Sequence, residues 1–328
     1  MRYFEDILTI LIPTYNRQEG LKNTLAALEN QTCKKFKIII SDNASDYDTQ
    51  KTIDNMSKEF QEKCTVIRRK INVGINVNIS EIFSYCNSKW AWTLSDDDQV
   101  MENAVEKIYD AISKYEGAAV FNFVHFEDWK EESDIIISDI KKFVEFYEEK
   151  EKNNSLWHGD MIFYSNKVYN MELIQDYLGE TIFYSYSYLP SLIILTRCLE
   201  STKNYVMINE QIVKKSVAFI NGVGWNFYKA YLASRIMLDI QINVDDELRM
   251  RLMKVMIFDI RDLLYTIFVL NSNEKPNVNS NYFEILYHGS YKFFLPPKQK
   301  LLLWLIKNIY KYDWGFVILK KIVATVMK

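Results

Sequence analysis

Residues 8–17 read LTILIPTYNR and residues 38–46 read IIISDNASD. In both, a run of aliphatic and β-branched residues stops at a polar cluster. A short apolar run without alternation reads as a strand buried on both faces, the pattern of a parallel sheet covered by helices. Pro13 closes the first run, Leu8–Ile12, and Ser41-Asp42-Asn43 closes the second, Phe36–Ile40. Between them, Arg17–Gln31 places Leu21, Leu25 and Leu28 on one helical face.

The alternation continues outward from that unit. Asp46–Phe60 reads as a helix with Ile53, Met56 and Phe60 inward, and Thr65–Arg68 as a strand. Asn76–Cys86 reads as a helix on Ile79, Ile82 and Phe83, Trp90–Leu94 as a strand, and Glu102–Tyr115 as a helix on Val105, Ile108 and Ile112. Strand and helix in this order predict βαβ units, an α/β fold with a mostly parallel central sheet. Ligands of such sheets bind beyond the carboxyl ends of the strands. Thr14–Asn16, Asp42–Asn43, Asn72–Asn76 and Asp96–Asp98 follow the four strands, so the pattern predicts that they converge on one edge.

After Gly117 the pattern is mixed. Ala118–Phe126 and Leu156–Tyr164 read as strands, and Ile140–Lys152 as a charged surface helix. Helical periodicity dominates Gly224–Leu270, and Asn271–Asn281 reads as a linker. These features predict a nucleotide-binding domain over 1–220 and a helical region over 221–328. No internal repeat is visible.

Composition narrows the classes. The 328 residues are 48% hydrophobic, enough for a sizeable core, and the formal net charge of −3 argues against nucleic acid as a partner. The charge is uneven: Tyr291–Lys328 holds eight Lys and a single acid, Asp313. Cys33, Cys64, Cys86 and Cys198 show no CxxC spacing and read as reduced thiols of a cytosolic protein. The charged start MRYFEDILTI is unlike a signal peptide. No apolar run reaches the roughly 18 residues of a membrane span.

The chemistry centres on Asp96-Asp97-Asp98. Adjacent carboxylates repel, and something cationic usually compensates them. Carboxylates are hard oxygen ligands suited to Mg²⁺ or Mn²⁺, and alternation at a strand end would put Asp96 and Asp98 on one face. The bland alternative is a solvated turn before a helix. Asp42 and Asn43 could bind a base or ribose, or could form a simple Asx-turn. Gly74, in the stretch Asn72–Asn78, permits positive φ at a helix start, where amides could face an anion. GxGxxG and P-loop motifs are both absent from the sequence.

Taken together, LTILIPTYNR (Leu8–Arg17), IIISDNASD (Ile38–Asp46), NVGINVN (Asn72–Asn78) and WTLSDDD (Trp92–Asp98) resemble the family-2 glycosyltransferases of the GT-A fold. The form of the last motif is similar to the abequosyltransferase-like branch that builds bacterial capsule and O-antigen sugars. The resemblance covers about residues 7–128. It implies an inverting transfer of a sugar from a nucleotide donor, a UDP-sugar by family weight, to a glycan or lipid-linked acceptor, with Mn²⁺ or Mg²⁺. Pro13, Thr14, Tyr15 and Asn16 would line the nucleotide pocket, and Asp42 would bind the base beside Asn43 and Ala44. Asn72, Gly74 and Asn78 would lie near the donor. Asp98 would bind the metal, with Asp96 and Asp97 on the metal, ribose or donor sugar.

The family often carries a Glu-Asp pair for the catalytic base, and this chain departs from it. Here the candidates are Asp160, in LWHGDMIF, and Glu180, followed by Thr181. His125, His158 and His288 show no metal-ligand spacing. Tyr184, Tyr186 and Tyr188 could form a sugar-stacking wall or pack a strand.

In the tail, LLLWLIKNIYKY and WGFVILKKIVATVM mix Trp, Tyr and Lys into short apolar stretches, the composition of interfacial helices. They predict peripheral attachment at the cytoplasmic membrane face; a packed helical layer or a homodimer contact is the alternative. Two other functions stay open: a sugar nucleotidyltransferase, whose glycine loop is missing, and an inactive glycan- or membrane-binding module.

Overall fold

The computed structural model describes residues 7–124, 132–152, 161, 163–185, 190–214, 240–256 and 297–326, with single residues at 264, 268, 283 and 287. The chain divides into two compact units, Met1–Trp225 with Ile242–Val244, and Asn226–Gln241 with Asp245–Lys328.

The first unit opens with β1 (Leu8–Thr14), α1 (Gln18–Glu29), β2 (Lys37–Asp42), α2 (Thr49–Ile53), α3 (Lys58–Gln61), β3 (Cys64–Arg68) and α4 (Ile75–Glu81). It continues with β4 (Trp90–Thr93), β5 (Gln99–Val100), α5 (Ala104–Lys114), β6 (Ala118–Phe123), β7 (Ile135–Ile137) and α6 (Ile140–Lys152). Then come β8 (Lys167–Asn170), α7 (Met171–Ile174), α8 (Leu178–Phe183), α9 (Pro190–Glu200), β9 (Asn204–Ile208) and β10 (Val213–Lys214).

The main sheet runs β3-β2-β1-β4-β8-β6-β9-β7. Strands β3, β2, β1 and β4 are parallel, and β6 and β9 pair parallel; β8 and β7 run against their neighbours. The expected mostly parallel α/β sheet is therefore present. Its core is the apolar strand run itself. Ile10, Ile12, Ile38 and Ile40 pack with Leu21, Leu25 and Leu28 of α1, and with Val105 and Ile108 of α5. Trp90 stacks on Phe121 at 4.9 Å, tying β4 to β6 across the inserted β8.

Two readings need correction. The single helix expected over Asp46–Phe60 is two short ones. Asp48 caps α2 through Gln50 N–H, Ser57 caps α3, and the Ser57 amide donates to Glu29 at 2.8 Å. Asp, Asn and Ser between them favour caps over helix interior, which breaks the run. The strand expected at Leu156–Tyr164 lies outside the described residues except Met161, Phe163 and Tyr164, of which Met161 is helical; the strand that follows is β8.

In the second unit the described helices are α10 (Asp246–Met256), α11 (Pro297–Ile309) and α12 (Asp313–Val326). Phe268, Phe283, Tyr310 and Phe316 form an aromatic core there, with ring centroids 4.6–6.1 Å apart. The Asn271–Asn281 linker and most of Gly224–Leu270 lie outside the described residues.

Candidate active site

The carboxyl ends of β1, β2, β3 and β4 do meet on one edge. Asn43 N–H donates to the Thr14 carbonyl at 3.0 Å, Arg69 N–H to Asp42, and Leu94 N–H to Leu11. Pro13 lies just past the last β1 residue paired to β4, where a missing N–H costs no ladder bond. Asn16 and Ala44 adopt positive φ (52° and 66°), which turns the chain sharply at both strand ends. Asn16 stitches the two loops together. Its amide nitrogen bonds the Asp46 carboxylate, its Oδ1 accepts the Asp46 N–H, and its own N–H donates to Ser45 Oγ. Tyr15 beside it is exposed.

Asp96 and Asp97 stand in a turn, pinned upstream by β4 and downstream by the β5–β10 pair, with Met101 N–H on the Ile212 carbonyl. Because the residues turn, strand alternation does not apply, and the carboxylates take different directions. Asp96 accepts Thr14 Oγ1–H at 2.6 Å and Arg17 Nη1–H at 3.3 Å, on the β1 side. Asp97 accepts the same guanidinium at 2.7 Å and the Ser95 hydroxyl at 2.5 Å. Asp98 accepts Ser165 Oγ–H at 2.5 Å, on the β8 side. The shared face expected for Asp96 and Asp98 is thus corrected, and a cation of the chain's own, Arg17, answers part of the charge. Burial pushes the Asp96 carboxyl up to about 6, against the opposing pull of the Thr14 bond and of Arg17, with Asp97 adding to the rise.

Two positions unread in the sequence hold this turn. Ser165 is fully buried and accepts the Ser95 N–H at 2.8 Å while donating to Asp98; Trp92 Nε1–H fixes its carbonyl at 2.8 Å. Gly20 lets the first turn of α1 reach the acids: a Cβ there would lie 2.7 Å from the Asp96 carbonyl oxygen. A glycine inside a helical pattern is the one signal that could have marked it.

Other implied residues serve the loops. Asp42 is completely buried. One oxygen accepts the Ser45 N–H and the other the Thr49 hydroxyl, with Arg68 at 3.6 Å. Each oxygen thus already accepts a bond inside the protein, and Asp42 braces the loop in which the resemblance placed a base ligand. Asn43 bonds Asn72 and the Val73 N–H, and Asn72 accepts the N–H of Gly74, whose φ is 87°. Asn78 clamps Ser41 through its hydroxyl and carbonyl, and accepts Arg69 Nε–H.

Glu180, on α8, meets Arg197 through both oxygens at 2.6 Å, and Arg197 also bonds Glu200. That pair ties α8 to α9, so Glu180 has a structural partner where the sequence suggested a base. Asp160, His125, His158, His288, Tyr186 and Tyr188 lie outside the described residues; Tyr184 meets Phe183 edge-to-face.

Among the described residues, no three His, Cys, Asp or Glu side chains gather to hold a metal. Mg²⁺ typically takes only one or two carboxylates and completes its shell with substrate phosphates and water. The Asp96–Asp98 turn suits such a partial donor set.

The parallel sheet with its acidic turn at the β1/β4 carboxyl edge defines a domain of the GT-A class. Residues 9–178, just over half of the chain, match Glycosyl transferase family 2, and the chain belongs to that family. It is 27% identical over 101 residues to GalNAc(5)-diNAcBac-PP-undecaprenol beta-1,3-glucosyltransferase of Campylobacter jejuni, covering 31% of this chain and 33% of that one. It is 31% identical over 103 residues to abequosyltransferase RfbV of Salmonella typhimurium, covering 30% of each. The chain thus spans about a third of the length of these curated relatives. S. aureus TarS 1-349, solved in complex with UDP-GlcNAc, superposes with a TM-score of 0.62 at 10% identity, over 98% of this chain and 91% of that one.

Proposed function

We propose that this protein transfers a sugar, with inversion, from a UDP-sugar to a lipid-linked glycan acceptor in bacterial surface-polysaccharide synthesis. The observation that carries the reading is the Asp96–Asp98 turn, braced by Thr14, Arg17 and Ser165 at the parallel-strand edge of a family-2 fold. The undecaprenol-linked substrate in the name of the glucosyltransferase relative supports a lipid-linked acceptor, and the UDP-GlcNAc of the TarS structure supports the donor class.

Chemically the reaction is one displacement. The acceptor hydroxyl oxygen bonds to the anomeric carbon, the bond to the diphosphate oxygen breaks, and a base takes the hydroxyl proton. Asp98, oriented by Ser165, would hold Mn²⁺ or Mg²⁺, which when bound supplies Lewis-acid stabilisation of the leaving diphosphate, with Asp96 and Asp97 adding negative charge beside it. Pro13, Thr14, Tyr15 and Asn16 form the nucleotide wall, with Asn43, Asn72 and Gly74 fixing the opposite loop. With Glu180 held by Arg197, Asp160 is the base candidate.

Melting curves test this. UDP, GDP and CDP, each with and without Mn²⁺, should raise the melting temperature for one nucleotide in a metal-dependent way. Asp98→Asn should lose that shift. No shift with any nucleotide would reject the donor reading.

The tail supports attachment to the cytoplasmic membrane face. No described helix is long and apolar enough to cross a membrane. On α11 and α12, Leu302, Leu303, Ile306, Phe316, Leu319 and Val323 are buried. Leu301, Trp304, Trp314, Val317 and Ile318 remain exposed, beside Lys298, Lys311 and Lys321. Such a second apolar face with lysines suits anionic lipid headgroups. Flotation with phosphatidylglycerol vesicles should carry the wild type and not Trp304→Ala/Trp314→Ala; equal flotation of both proteins would reject it.

A further inference from the structure

Arg17 stands in the motif that opens the fold, yet neither the sheet nor the helix requires its guanidinium. It is the residue before α1, its carbonyl accepts the Leu21 N–H, and its side chain is a little over one third exposed. From there Nη1 reaches Asp97 Oδ2 at 2.7 Å and Asp96 Oδ1 at 3.3 Å. The close approach at Gly20 sets this reach, because it brings the first turn of α1 against the Asp96 backbone. Asp96 and Asp97 also have neutral donors, Thr14 and Ser95. Thus their ordering does not depend on Arg17 alone, whereas among the described residues Arg17 is the cation that meets them.

A guanidinium on Asp96 and Asp97 and a divalent cation on the adjoining Asp98 repel each other across a short distance. The cation's arrival therefore favours release of Arg17. A diphosphate presents oxygens of the geometry that a guanidinium binds in a fork, and it reaches the site together with the cation.

We propose that Arg17 is a resident counter-cation that occupies Asp96 and Asp97 until donor and metal bind, then transfers to the donor diphosphate, so that metal and nucleotide bind synergistically. This rests on the glycosyltransferase reading of the site. Arg17 is then a positioning residue for the free enzyme and a phosphate ligand in the loaded one. Linkage makes the effect reciprocal: nucleotide strengthens metal binding by the factor by which metal strengthens nucleotide binding.

The test is Mn²⁺ titration followed by the electron paramagnetic resonance of free Mn²⁺, without nucleotide and with UDP, GDP or CDP. The proteins are wild type, Arg17→Gln, Arg17→Met and Arg17→Lys. Removing one positive charge from beside the metal site should tighten Mn²⁺ binding without nucleotide about tenfold in both neutral variants. The nucleotide enhancement should shrink by a similar factor, while Arg17→Lys, which keeps the charge and not the fork, should bind Mn²⁺ without nucleotide near the wild-type value and show an enhancement between wild type and the neutral variants. A merely structural role for Arg17 would weaken Mn²⁺ binding or leave it alone, and either result overturns the proposal. If wild type takes up Mn²⁺ with a nucleotide and the neutral variants match it throughout, only the Arg17 assignment falls. If no protein binds Mn²⁺ under any condition, the metal-dependent transferase reading falls with it.

Discussion

Replacing Ser165 by Ala removes one hydroxyl and disturbs the acid turn at two points. The Ser95 N–H loses its acceptor at 2.8 Å, and Asp98 Oδ2 loses its donor at 2.5 Å, both at a fully buried position. A buried polar group stripped of a partner costs about 1–3 kcal/mol, more when it is charged. The expected destabilisation is therefore about 3 kcal/mol, reduced if Asp98 turns to another donor. For a unit of this size, that lowers the melting temperature by about 6–12 °C. Removing a group that orients a metal ligand also weakens metal affinity about 10–100-fold. Calorimetry and Mn²⁺ titration of Ser165→Ala beside the wild type read both effects. A melting temperature within about 1 °C of wild type, with unchanged Mn²⁺ affinity, would refute the claim that Ser165 sets the Asp98 carboxylate.

Three further outcomes follow from the same structure. Gly20→Ala places a methyl 2.7 Å from the Asp96 carbonyl, so α1 or the turn must retreat; the expected loss is about 1–3 kcal/mol in denaturant melts, with slower sugar transfer. Asp42→Ala leaves the Ser45 N–H and the Thr49 hydroxyl unpartnered, and should lower stability by about 2–4 kcal/mol and raise proteolysis within residues 43–49, read by limited digestion. At Asp134, burial pushes the carboxyl up, but bonds from Lys114, the Asn209 N–H and Tyr115 outweigh it and hold it below the usual carboxylate range. Because its folded value is depressed, Asp134 contributes stability above the unfolded value near ~4, and this is lost as pH falls through the folded one. Asp134→Asn should therefore melt below wild type at pH 7, with the gap closing in acid.

The parallel half of the sheet was legible because its strands are buried on both faces. Leu8–Ile12, Phe36–Ile40 and Trp90–Leu94 are mostly apolar, each with a single polar residue (Thr9, Lys37 and Thr93), and a polar cluster follows each. The acid turn was legible as three adjacent carboxylates, although its directions were not: which oxygen meets Thr14, Arg17 or Ser165 depends on elements distant in sequence. Strand β8 was missed because its four residues, Lys167–Asn170, include a fully buried lysine and an asparagine. Lys167 is tolerated there because its ammonium donates to the Phe163 carbonyl and to Asn166, a local arrangement with no periodic signature. Asp42 and Asn78 read as ligands in a motif and also fasten their loops, which a linear motif does not reveal: a short polar side chain can bond inward as readily as outward.

The insertion of β8 between β4 and β6 has a consequence for biogenesis. Strand β4 emerges from the ribosome some 75 residues before its second neighbour, since Trp90–Trp92 pair with Val168–Asn170. Until then β1 covers one side of β4, and the other is an open edge rich in tryptophan. Open apolar edges recruit other chains, and long sequence separation delays closure. The nascent chain thus passes through a window, from Thr93 to Asn170, in which the nucleotide half of the sheet can assemble while its interior seam stays exposed. Chains stalled or truncated within that window should be bound by chaperones and prone to aggregate, and those released beyond Asn170 should be markedly less so.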